Sequence, residues 1–438
     1  MRRELSGWGR FPRVDCAVTA PRDEAALRAA IATGPVIARG NGRAYGDAAT
    51  QSRGTIEMRH FNRLLAFDPE TGQVAAEAGV LLADLIEAFL PRGWFPWVTP
   101  GTKFVTLGGA IAADVHGKNH RRDGAFRSCL DWVEVMQQDG SVVRAAPGDD
   151  LFEWTVGGMG LTGVILRAGL RLRPVSTGWI RQQMVPAPDL ATAMEVFERD
   201  TGTYAVAWFD CLGQGASLGR SLVMLGDHAT PEGLTEAQRA APFDIPRRRR
   251  LKVPMDAPAF ALNRFTLKAF NALYWRAGLR KAGESLVDWD SYFYPLDTIA
   301  EWNRIYGRPG FAQFQCVLPL ATARPGLEAL LKAISASGQG SFLAVLKRLG
   351  AQESRFSFPM EGYTLALDFP VSPKALQLLE RLDAITVDHG GRFYLAKDSR
   401  LRSDTLRASD PRVGAFVEMR ETGPRYRFAS GQSERIGI

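Results

Sequence analysis

Residues 100–120 read PGTKFVTLGGAIAADVHGKNH. Pro100-Gly101 ends an extended segment, and Gly108, Gly109, Ala110, Ala112 and Ala113 form a run of tiny side chains along which backbone can come close to a planar ligand. The same run would suit a helix packed tightly beneath a sheet. Its polar end, His116-Gly117-Lys118-Asn119-His120, favours the ligand, because such residues seldom serve packing alone.

Two more glycine clusters lie on either side. ARGNGRAYGD, residues 38–47, sets Gly40, Gly42 and Gly46 directly after a short strand, where successive N–H groups can form a concavity for phosphate oxygens. The spacing is G-x-G-x-x-x-G and another strand follows, so the helix N-terminus on which a Rossmann site seats a pyrophosphate is missing. VGGMGLTGVIL, residues 156–166, adds Gly157, Gly158, Gly160 and Gly163. Three clusters in one half of the chain favour one long ligand held by several backbone contacts.

Outward from these loops, short helices alternate with short β runs up to Arg173, including a hairpin predicted around Asp139-Gly140 and a strand over GVILRAGLRLRPV. Beyond Pro174 longer strands such as YAVAWFD and FAQFQCVLPL alternate with helices, which predicts a second α+β domain. A chain of 438 residues exceeds what one core usually holds, and 46% hydrophobic with 23% charged residues is an ordinary globular composition. Four scattered cysteines give neither a zinc site nor a disulfide framework, and no metal site is expected. The start, MRRELSGWGRFPRVD, lacks an apolar export core and no span-length apolar run occurs; the expected location is cytoplasmic, with peripheral contact at the inner membrane and a periplasmic placement both left open.

The segments ARGNGRAYGD, TPGTKFVTLGGAIAADVHGKNH and TVGGMGLTGVI resemble the vanillyl-alcohol-oxidase, or PCMH-type, FAD-binding family, and HGKNH in that setting is similar to the decaprenylphosphoryl-β-D-ribose 2'-oxidases within it. The likeness continues through AWFD, YPLD, EWNRIYG, FAQFQ, DFP and RFYLAKDSR, over nearly the whole chain. It implies an α+β, two-domain fold: residues 1–175 for FAD, 176–391 as an inserted substrate (cap) domain, and 392–438 returning to the FAD domain. It implies non-covalent FAD contacts from Arg39, Gly40, Asn41, Gly42, Arg43, Ala44, Tyr45, Gly46 and Asp47, from Gly101, Thr106, Leu107, Gly108 and Gly109, from Ala113, Asp114, Val115 and His116, and from Ile165 and Tyr394.

The activity so implied is oxidation of the ribose 2'-hydroxyl of a polyprenyl-phosphoryl ribose, the first half of an epimerisation to an arabinose donor for cell-envelope glycans. A separate NAD(P)H-dependent keto-reductase would complete it. Lys397, in AKDSR, matches the family's essential lysine, and Lys118, Trp208, Gln313, Gln315 and Tyr394 match its substrate pocket. From the residues themselves, Gln313 and Gln315 alternate on one strand and share a face, which suits hydroxyl recognition. A neutral His116 could accept a hydroxyl proton; the base is open between His116 and Lys397. An oxidase of a soluble sugar, alditol or aldonolactone is the alternative, and a basic membrane- or nucleic-acid-binding protein the non-enzymatic one.

One residue departs from the pattern. GYTLALDFP puts Ala366 where the mycobacterial members carry a cysteine, so covalent inhibition through that thiol is not expected. Arg247–Arg250 and the following segment, with Phe260, Phe265, Phe270 and Tyr274, suggest either a basic, aromatic surface element suited to a lipid-phosphate substrate or a solvated charge run beside a core-packing helix. No nucleic-acid module accompanies it, and nucleic acid is not expected as a partner.

Overall fold

Strand Val164–Pro174 runs through the amino-terminal half, pairing antiparallel with Gln73–Glu77 on one side and Leu130–Met136 on the other. The computed structural model to which it belongs describes residues 1–246, 251–258, 262–422 and 428–438. Arg247–Arg250 and Phe260, singled out in the sequence, lie outside the described residues. Leu64–Phe67, Val142–Ala145 and Trp94–Pro96 complete this sheet. Its hairpin turns at Gly140, whose φ of 81° only glycine adopts readily. A second, four-stranded sheet holds Arg2–Ser6, Arg13–Thr19, Thr55–Glu57 and Ile37–Arg39.

The run of tiny residues is a helix, Leu107–Ala112, capped by the Thr106 side chain. A Cβ on Gly108 would stand 2.9 Å from that of Ala78, so the helix can press on the sheet only with glycine there. The third glycine cluster terminates it: Gly157 N donates to Ile111 O at 3.1 Å and Met159 N to Ala112 O at 2.8 Å. The packed-helix reading and the ligand reading of this segment are therefore compatible, with Gly108 serving the first.

The third sheet has eight strands in the order Gly283–Asp288, Trp179–Ala187, Ser221–His228, Tyr204–Phe209, Ala344–Leu349, Gly362–Pro370, Phe311–Pro319 and Arg392–Phe393. Directly paired residues of an antiparallel sheet share a face. The register thus lays out one row of Gln315, Ala366, Val345, Trp208 and Leu222, a second of Thr364 and Lys347, and a third of Gln313 and Asp368. The opposite face carries Phe314, Leu346, Leu365 and Leu367, packed in one core with helices Leu190–Arg199, Leu320–Ser337 and Pro373–Asp388. Helix Arg264–Arg280 lies on the first face, with Tyr274 4.6 Å from Trp208 between ring centroids.

The last segment leaves this sheet at Arg392–Phe393 and runs against the amino-terminal strands. Phe428 bridges Val36, Gly431 N donates to Thr50 O at 2.7 Å, and Arg435 pairs with both Asp47 and Asp398 at 2.8 Å.

Candidate active site

Between the glycine loops and the first face of the large sheet lies a cavity of about 570 Å³. Its size falls within the roughly 300–1,000 Å³ of small-molecule sites. One wall consists of Gly40, Asn41, Gly42, Arg43, Ala44 and Tyr45 with Gly101, Thr106, Gly108 and Gly109. Ala113, Val115, His116 and Ile165 form its floor. Gln313, Gln315, Tyr394 and Lys397 face them, together with Ala366.

Seven expected contacts stand elsewhere, each for a definite reason. Arg39 braces the first loop from beneath, donating to Ser6 O at 2.7 Å and Ala49 O at 3.3 Å. A Cβ on Gly46 would meet Asp398 O at 2.2 Å, and Asp47 is paired with Arg435, so both hold the carboxyl-terminal segment and not the cavity. Leu107 is fully buried in the core under the helix. The Asp114 carboxylate accepts from Arg127 N at 2.9 Å and Gln352 Nε2 at 3.0 Å.

Lys118, expected at the substrate, donates to Tyr292 O and sits over the Tyr292 ring, 4.2 Å from its centroid; burial pulls its amine down to about 7. Trp208 lies on the cavity's face of the sheet but one strand beyond the cavity, packed against Leu222, Met184 and Tyr274.

The substrate-facing wall is polar, buried and internally ordered. Gln315 Nε2 donates to Thr364 Oγ1 at 3.2 Å and lies 3.2 Å from His116 Nε2. With both amide hydrogens so placed, His116 Nε2 is the acceptor and its proton resides on Nδ1, which has no protein partner among the described residues. Burial, with Lys347, His120 and Lys397 nearby, holds the imidazole well below the usual histidine range, so it is neutral near pH 7. Gln313 Nε2 donates to the fully buried Asp368. Tyr394 donates its hydroxyl to Ala113 O at 3.0 Å and stacks on Phe358, fixing the floor below His116.

Lys397 Nζ rests 3.6 Å from the Tyr45 ring centroid. Burial pulls its amine down, Asp368 acts to raise it again and Lys347 to lower it further; burial pushes the Asp368 carboxyl up. Lys347, which no motif had singled out, lines the same cavity with an amine lowered by burial to about 8. Its signal was available: in AVLKRL a lysine occupies the same alternating face as the inward Val345. Asp297 and Trp8 also line the cavity without having been anticipated.

The residues present fit a flavin dinucleotide. Among the described residues the N–H groups of Gly40, Asn41, Gly42, Arg43 and Ala44 find no protein acceptor, leaving five adjacent donors beside the cavity. A Cβ on Gly101 would meet nothing within 4 Å and one on Gly109 only Thr106 Oγ1 at 3.1 Å, so the protein leaves room just where the loops face the cavity.

Residues 16–146 match the FAD binding domain family. Fold, cradle and match together define an FAD-dependent oxidoreductase of the PCMH type. Over its full length the chain is 35% identical to decaprenylphosphoryl-β-D-ribose oxidase of Mycolicibacterium smegmatis, spanning 98% of that protein, and it belongs to the decaprenylphosphoryl-β-D-ribose oxidase family. An uncharacterized protein of Streptomyces coelicolor is 35% identical over 82% of the chain and all of its own length. Mouse L-gulonolactone oxidase is 30% identical over 31% of each chain.

Proposed function

We propose that the protein oxidises the 2'-hydroxyl of a polyprenyl-phosphoryl-β-D-ribose to the 2'-keto sugar, the first half of an epimerisation towards an arabinose donor. The supporting observation is that amide-bearing glycine loops and the Lys397–Lys347–His116 cluster line one cavity. Bound FAD supplies the hydride acceptor. The N–H groups of Gly40–Ala44 would hold its diphosphate, with the flavin held non-covalently and not bonded to His116.

Lys397 takes the hydroxyl proton on Nζ. Its depressed basicity makes a neutral amine available near pH 7, whereas His116 Nε2 is already accepting from Gln315. Gln315 spends both amide hydrogens inside the protein, so its Oε1 is the atom free to accept from a sugar hydroxyl. Lys347, on the same face of the sheet, offers a cation to the substrate phosphate. Ala366 and Val345 make the wall behind them apolar and lead towards Trp208, which favours a lipid-linked sugar over a free one.

An NAD(P)H-dependent reductase would have to reduce the ketone, and the lipid substrate requires contact with a membrane. No described helix is long and apolar enough to cross one; the contact in this reading is peripheral, at the inner membrane. Anaerobic titration of the yellow protein with polyprenyl-phosphoryl ribose should bleach the flavin bands. Bleaching by free sugars, alditols or aldonolactones but not by the lipid-linked ribose would transfer the activity to a soluble substrate.

A further inference from the structure

We propose that the outer face of helix Arg264–Arg280 docks the enzyme on an anionic lipid bilayer; the proposal deepens the lipid-linked substrate reading above and rests on it for its purpose. Of 17 residues the helix buries only Leu267, Asn271 and Gly278, a single narrow stripe. Phe265 is 81% exposed and Leu273 66%, and at about 100° per residue both project away from that stripe. Single exposed apolar residues are common, but two large ones beside Ala269 and Ala272 on one helical face that no described residue covers are not.

Charge identifies the occupant. The segment from Asn263 to Gly283 carries Arg264, Lys268, Arg276, Arg280 and Lys281 and no carboxylate. Arg276 and Arg280 fall on the same outer side as Phe265 and Leu273. Apolar side chains interleaved with cations are what an interfacial helix presents to acyl chains and anionic headgroups.

The helix is also in the right place. Its inner side lays Tyr274 on Trp208, and Trp208 is paired with the cavity-lining Val345 on the next strand. Neighbouring strands are about 4.8 Å apart, so the apolar end of the cavity wall lies one strand from the residues under the docking helix. A prenyl chain leaving the sugar pocket along Ala366 and Val345 would head towards the side of the sheet that the docking helix covers.

The test is flotation of the FAD-loaded enzyme with vesicles of phosphatidylglycerol or of phosphatidylcholine. The expected result is flotation with phosphatidylglycerol that weakens at high salt, and little or none with phosphatidylcholine. Phe265→Ser with Leu273→Ser should weaken binding at least about tenfold, and Arg276→Glu with Arg280→Glu should abolish the preference for phosphatidylglycerol. All variants should stay yellow and be bleached normally by detergent-dispersed substrate. Failure of the parent enzyme to float, or flotation of both double variants like the parent, overturns the proposal. Flotation needs no sugar: bleaching without flotation would sink the docking surface alone, and flotation without bleaching would sink the ribose reading alone.

Discussion

The loops over residues 40–45 and 101–109 line one side of the cavity with glycines, whereas the large sheet meets it with the side chains of Gln313, Gln315 and Lys347 and the turn after its last strand with that of Lys397. The first wall depends in part on what is missing: a Cβ added at Gly101 or Gly109 enters ligand space. The second depends on charges that set one another's protonation. Mutations should therefore fail in different ways, by loss of the cofactor on one side and by altered rate or pH response on the other.

The sharpest break is a pair of neighbours. Gly109→Val puts two methyl groups where only Thr106 Oγ1 is near, so the protein should fold and emerge colourless, with FAD affinity down by about a hundredfold or more, the roughly 3 kcal/mol upper end of overpacking. Gly108→Val meets Ala78 at 2.9 Å and should instead lower the melting temperature of the apoprotein itself. Absorbance near the flavin bands and thermal melts separate the two. A yellow Gly109→Val protein would remove the backbone wall from cofactor binding.

Lys397→Ala tests the opposite wall. It should keep its colour and melt like the parent, yet substrate-driven bleaching should slow by about 10²–10⁴-fold, the contribution of a positioned base. Stopped-flow reduction under anaerobic conditions reads this directly, and a parent-like rate would exclude Lys397 from the chemistry.

The same contrast governs how much of the molecule could be read in its sequence. The loops were legible because glycine declares itself: a Cβ on Gly101 or Gly109 would enter the cavity, and one on Gly40 or Gly42 would strike the side chains of Thr106 and Arg39 that brace the loop. A motif carried over as a block divides inside that same stretch. Gly46 and Asp47 continue the loop in sequence, but they turn to the distant carboxyl-terminal segment, through Asp398 and Arg435, the latter 388 residues from Asp47. Lys347 escaped notice because a lysine on a strand usually snorkels to water, and its partners are set by a register across strands that no local pattern encodes. Trp208, expected in the substrate pocket, lies on the cavity's face of the sheet but one strand beyond the cavity, a position set by the same register. Of the basic, aromatic element, Phe265 is exposed as its spacing suggested, while Tyr274 turns inward onto Trp208.

The smallest and most diagnostic effects concern the two charges flanking Lys397. If the neutral amine is the working form, the reduction rate should rise with pH as Lys397 loses its proton, because only then can Nζ accept another. The Asp368 carboxylate stabilises the cationic form and so raises the amine's pKa; Asp368→Asn removes that support while keeping an acceptor for Gln313, and the rising limb should move to lower pH by roughly one unit. Lys347 acts in the opposite sense, so Lys347→Met should move the limb to higher pH and weaken the binding of phosphate-bearing substrate as well. Opposite displacements of one limb, with FAD content unchanged in both variants, are what a shared buried charge cluster requires. Equal displacements, or a rate that falls as pH rises, would mean that Lys397 works as a cation holding the developing alkoxide and that the proton leaves by another route.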